Sequence, residues 1–133
     1  MLELLRAYFR GRPDVDLAFL FGSVARGEAT ARSDVDVAVR LMPAAPRQGL
    51  RDPVLSIGVD LGGRVGRQVD VLDLDRASPP LAYAVAVDGV LLAEAEEGLH
   101  VSFRAAAFDR YADTAPLRRL REIYLLEDLR GRV

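Results

Sequence analysis

A chain of 133 residues, half of them apolar and with a net charge of −2, suits one domain of ordinary globular composition. The near-neutral balance offers no electrostatic basis for binding DNA, RNA or an anionic membrane. No cysteine is present, which excludes disulfides, thiolate metal sites and cysteine nucleophiles. Every basic side chain is arginine, a bias that reflects coding composition more than function and rules out lysine Schiff bases and Walker-type phosphate binding.

The start, MLELLRAYFRGRPD, is too often charged for a signal peptide, and no apolar run nears the roughly 20 residues of a membrane span, so the expectation is a cytoplasmic protein. Leu2, Leu5 and Phe9 form one stripe of an amphipathic helix over 2–10, stopped by GRP at 11–13. VDLAFLFGS, from Val15, reads as a buried central strand that ends at Gly22. A ten-residue loop, VARGEATARS, follows and leads into DVDVAVR, where Asp34, Asp36 and Ala38 alternate with Val35, Val37 and Val39.

The stretch 41–49 is a loop punctuated by proline and glycine, and a helix is expected from about Asp52, with Pro53 in its first turn and Gly62, Gly63 and Gly66 ending it. RQVDVLDLD, 67–75, alternates again, with Val69 and Val71 on one side and Asp70, Leu72 and Leu74 on the other. Ser78 is a plausible N-cap for a helix that closes at Gly89, VLLAE reads as a short closing strand, and helical composition fills 96–111 and 116–130.

The chemistry-bearing residues converge on this frame. Alternate strand side chains share a face, so Asp34 and Asp36 point the same way with backbones roughly 6.5–7 Å apart. Two such carboxylates, with substrate phosphates completing an octahedral shell, make an ordinary magnesium site, and manganese suits the same oxygen ligands. Two ions about 4 Å apart clamp the attacking and leaving oxygens of a phosphoryl displacement. Asp70, isolated in a third strand, is the candidate third carboxylate, placed to draw a proton from an attacking hydroxyl. Gly22 offers backbone without a Cβ to phosphate oxygens, Ser23 adds a hydroxyl, and Arg26 is a candidate phosphate-binding cation.

Each part alone occurs in ordinary turns and strand edges; together, G-S-x10-D-x-D with a distal strand carboxylate resembles the DNA polymerase β-like nucleotidyltransferase superfamily. Within it, GSVARGEATARSDVDVAV with LGGRVGRQVDVLDL and AVAVDGVLLAEAE is similar to the minimal nucleotidyltransferases, the MNT or MntA-type antitoxins of HEPN/MNT toxin–antitoxin pairs. The resemblance covers roughly residues 15–95. It implies a Mg-ATP-dependent transferase that attaches AMP to a tyrosine of its partner HEPN ribonuclease toxin and silences it. Gly22 and Ser23 would bind the nucleotide, Asp34 and Asp36 the metals, and Asp70 would complete the triad. One departure stands out: four glycines between 58 and 66 occupy what is often a plain helix in the family, which bears on the length of that helix.

The expected fold is a small α/β (α+β) domain over residues 1–133: a mixed sheet of three or four strands, helices on one face, and the site open on the other, with the core at about 15–95 and C-terminal helices at about 96–130. Two further readings stand beside protein AMP transfer. One is transfer to a small molecule, for which the chain has no room for a substrate domain; the other is an antitoxin that only masks its partner. His100 lacks the R-x4-6-H context of the toxin's own motif and reads as structural. Glu28 and Asp73 read as a loop and a strand-end residue, and Tyr111 and Tyr124 as packing residues. The last helix carries more apolar surface than one stripe, which suits core packing, a homodimer or a hetero-oligomer.

Overall fold

The computed structural model describes residues 1–46 and 49–131; Arg47 and Gln48 of the expected 41–49 loop, and Arg132 and Val133, lie outside the described residues. Helix α1 spans Leu2–Arg10 and strand β1 Val15–Phe21; a one-turn helix α2, Gly22–Ala25, leads by a loop to β2, Val35–Leu41. Helix α3, Pro53–Val65, then β3, Val69–Asp73, helix α4, Pro79–Asp88, and β4, Val90–Glu94, complete the central part. Two further helices follow, α5 over Leu99–Asp113 and α6 over Ala115–Gly131.

The sheet order is β3-β2-β1-β4. β1 pairs antiparallel with both β2 and β4, whereas β2 and β3 run parallel through the α3 crossover, with Asp36 opposite Asp70. A crossover of this kind is what a parallel pair requires.

Local chemistry explains the helix ends. Asp52 caps α3 by accepting from the Val54 amide at 3.0 Å, Pro53 sits where no intrahelical donor is needed, and Gly66 closes the helix in the left-handed region at φ 73°. Gly62 and Gly63 lie inside α3 and do not end it. Burial of Ile57 and Leu61 against the sheet outweighs the propensity cost of these glycines, about 1 kcal/mol each.

The core has two sides. Val35, Val37, Val39, Ala18 and Leu20 face α1 and α3 through Leu5, Phe9, Ile57 and Leu61. The helices are not confined to that face: Leu17, Phe19 and Ala38 form an apolar patch on the other, where Val85 of α4 and Phe103 of α5 cover it. The reason is β1, which is apolar on both sides and therefore needs cover on both. Arg104 of α5 locks this second layer, donating to the carbonyls of Ala86 at 2.8 Å and Gly89 at 2.9 Å and so capping α4.

Candidate active site

At the end of the second face not covered by α4 and α5, the β1–α2 junction meets β2 and β3. Phe21, the last residue of β1, is the register partner of Asp36, which in turn partners Asp70 on β3. In adjacent parallel strands, about 4.8 Å apart, such partners project their side chains from the same face. The alternation predicted for each strand and the parallel pairing between them bring two carboxylates together that lie far apart in sequence.

Gly22 fits over Asp36. Its φ of +73° is a left-handed conformation, and a Cβ there would overlap the Asp36 carboxylate oxygen and stand 3.1 Å from its Cγ. The chain thus approaches Asp36 closely only because residue 22 has no side chain. Gly22→Ala is expected to keep the fold, because the Asp36 side chain can swing aside, while nucleotidyl transfer falls on the order of 10²-fold as the carboxylate leaves its place. Transfer assays alongside circular dichroism check this; an active Gly22→Ala chain would show that the close approach is irrelevant.

Asp34 lies one residue before β2 and is exposed, and Asp36 is half-buried. Burial, then the negative charges of Asp70 and Asp34, push the Asp36 carboxyl above the usual carboxylate range, and Arg26 opposes them. The three carboxylates are therefore electrostatic neighbours, and Arg26 lies within reach of the same field. Its guanidinium also pairs with Glu28 at 3.1 Å on the exposed side of the loop, giving Glu28 a partner that the sequence did not reveal.

Ser23 is half-buried in α2, and its carbonyl accepts from the Glu28 amide at 3.0 Å, which folds the loop back on itself. Gln68 is the residue that sequence reasoning missed: its side-chain amide donates to Asp70 Oδ1 at 3.1 Å. Its signal was the two-residue spacing before Asp70, which puts both on one strand face. A groove of about 390 Å³ runs between α3 and β3, walled by Val54, Leu55, Gly58, Val59, Val69 and Val71 with Asp70 at its edge, and so lies on the valine side of β3, opposite the carboxylates.

Among the described residues no group of three His, Cys, Asp or Glu side chains converges closely enough to hold a metal ion. The donor chemistry nevertheless fits a hard divalent cation. Asp36 and Asp70 are register partners, all donors are carboxylate oxygens, and their mutual repulsion is what a cation would relieve. A magnesium ion commonly takes only one or two protein carboxylates and completes its shell from phosphates and water.

The other residues singled out have structural places. Asp73 is buried and accepts from the Asp75 amide at 3.0 Å, capping the short 3-10 turn Leu74–Arg76. His100 Nδ1 lies 2.6 Å from Glu94, which also accepts from the Gly98 and His100 amides, so this pair fixes the β4–α5 junction. Tyr111 stacks on Tyr83 at 4.1 Å between centroids, whereas Tyr124 is exposed on α6 rather than packed as the sequence suggests. Among the described residues no helix is long and apolar enough to cross a membrane.

A glycine-led turn set against a strand carboxylate on a mixed sheet suits a nucleotidyltransferase, and the polymerase beta nucleotidyltransferase family matches residues 3–98. The chain belongs to that family. Among solved structures it is similar to a chain of a toxin–antitoxin complex crystallised with AMP-PNP, at 22% identity and a TM-score of 0.77 over 93% of this chain and 96% of that one. It is likewise similar to a chain of the tri-AMPylated Shewanella oneidensis HEPN toxin in complex with MNT antitoxin, at 21% identity and a TM-score of 0.72 over 95% and 99%. A chain of an MntA–HepT toxin–antitoxin structure matches at 20% identity and a TM-score of 0.71 over 93% and 98%. These likenesses establish a shared fold across almost the whole of both chains. Among curated protein sequences none matches.

Proposed function

We propose that this chain is an antitoxin that transfers AMP from Mg-ATP to a tyrosine hydroxyl of a partner HEPN toxin, acting as a single cytoplasmic transferase unit. The observation that carries the reading is the register pair Asp36–Asp70 with a left-handed Gly22 set against Asp36, an arrangement that suits nucleotidyl transfer. Structural neighbours add support for the substrate and the acceptor, since one was crystallised with AMP-PNP and another contains a tri-AMPylated HEPN toxin.

In this reading Gly22 and Ser23 receive the triphosphate, and Arg26 meets a phosphate oxygen from the loop. Asp34, Asp36 and Asp70 are the residues that would hold magnesium, or manganese in its place. When bound, the metal supplies charge neutralisation for the triphosphate and polarises the reacting phosphoryl group. Asp70 accepts the proton of the acceptor hydroxyl, and the freed oxygen attacks the α-phosphorus of ATP. As that bond forms, the bond from the α-phosphorus to the bridging oxygen breaks and pyrophosphate leaves past Ser23 and Arg26.

The test incubates the chain with α-labelled ATP, magnesium and its HEPN partner. Label is expected on the partner together with loss of its ribonuclease activity. Tight binding without transfer, under magnesium or manganese, would favour a masking antitoxin and sink the transferase reading.

A further inference from the structure

Helix α6 departs from the packing seen elsewhere in the molecule. Leu117, Leu120, Ile123, Tyr124, Leu125, Leu126 and Leu129 are all between 47% and 69% exposed. At its base the helix is held to α5 by Arg118, which donates to the Tyr111 carbonyl at 3.0 Å and to Thr114 Oγ1 at 3.1 Å and lies 3.7 Å from the Tyr111 ring centroid. That anchor ties the start of α6 to α5, and the apolar side chains beyond it are exposed. A lone helix of this length is marginal in water, so its apolar surface calls for cover.

The sequence LRRLREIYLLEDL, residues 117–129, is palindromic in hydropathy at its outer positions and opposite in charge about Ile123. Leucines 117 and 120 mirror leucines 129 and 126, while the arginine pair at 118–119 mirrors the acidic pair at 127–128. At 100° per residue, Leu120 and Leu126 stand about 60° either side of Ile123, and Arg119 and Glu127 about 40° either side. One face of α6 therefore carries an apolar centre flanked by a cation toward one end and an anion toward the other.

A face of that kind is complementary to itself when inverted. A two-fold interface requires that residue i meet j while j meets i, and pairing about Ile123 gives complementary partners at 120/126 and 119/127, the positions flanking it on this face. We propose that α6 is a self-association helix through which two copies of the chain pair antiparallel. Ile123 then meets its own counterpart, Leu120 meets Leu126 of the second copy, and Arg119 lies level with the second copy's Glu127. Parallel pairing would set Arg119 against Arg119 and Glu127 against Glu127, so charge selects the antiparallel form. The inference does not rest on the catalytic reading, and its test reads mass rather than transfer.

Sedimentation velocity of the full chain, from about 1 to about 100 µM, is expected to show a monomer–dimer equilibrium. Arg119→Glu and Glu127→Arg, both at exposed positions, are each expected to weaken the dimer about tenfold or more by opposing like charges. The double variant Arg119→Glu/Glu127→Arg restores a complementary pair and is expected to recover the dimer. A wild-type chain that stays monomeric throughout would assign α6 to a different partner and overturn the proposal. Single variants that dimerise as well as wild type, or a double variant that does not recover, would overturn it equally.

Discussion

In the Asp34→Ala/Asp36→Ala chain, AMP transfer is expected to fall by at least about 10²–10³-fold, the scale seen when a preorganised electrostatic group is removed from a transfer site. The fold is expected to survive. Asp34 is exposed and outside β2, and Asp36 is already strained electrostatically by burial and by the charges of Asp70 and Asp34. Removing both carboxylates relieves that repulsion, so thermal unfolding is expected at or above the wild-type temperature while labelled transfer disappears. A collective loss of stability and activity would mean that the pair is structural. Retained transfer would place the reacting centre elsewhere. The contrast between a silent stability assay and a lost activity is what marks a site that the fold supports at a cost.

Phe19→Ala is expected to do the opposite, destabilising the whole chain. Phe19 is fully buried on the middle strand, its ring 5.3 Å from that of Phe103 and 5.3 Å from the Arg104 guanidinium. It therefore joins β1 to α5 and backs the arginine that caps α4. Truncation leaves a cavity costing about 3–5 kcal/mol, a large share of the roughly 5–15 kcal/mol that holds a domain together. For a chain of this size that corresponds to a melting temperature lower by on the order of 10–20 °C. Leu50→Ala is the control: Leu50 is 91% exposed, and its removal is expected to change stability by no more than about 0.5 kcal/mol. Similar melting temperatures for the two variants would show that the second layer contributes little.

Much of this architecture can be read along the chain. Asp52-Pro53 and Ser78-Pro79 announce helix starts because capping is a local hydrogen bond, and both observed N-caps accept as expected, from Val54 and Leu81. The strands at Val35–Leu41 and Val69–Asp73 follow from strict alternation, which also assigns Asp36 and Asp70 to the side opposite the valines of each. The glycines of α3 misled the boundary reading, because propensity is local and the burial of Ile57 and Leu61 is not. The cover over Leu17 and Phe19 was missed because alternation in β2 speaks for one strand, whereas β1 is apolar on both faces.

The sequence by itself determined the residue types at the site: a glycine with no Cβ, a serine, a spaced carboxylate pair, and a third carboxylate in a strand of the right period. Those are properties of single residues and of spacing, written in the chain without reference to anything distant. Only the tertiary structure decided that β3 lies parallel to β2 with Asp70 level with Asp36, that Gly22 arches over Asp36 in a left-handed turn, and that Gln68 holds one oxygen of Asp70. Only it decided, too, that α6 stands away from the core with its leucines exposed. Each of these depends on which strands and helices lie side by side, and that is set by the burial of apolar faces summed over the whole fold, a quantity no local window of sequence contains.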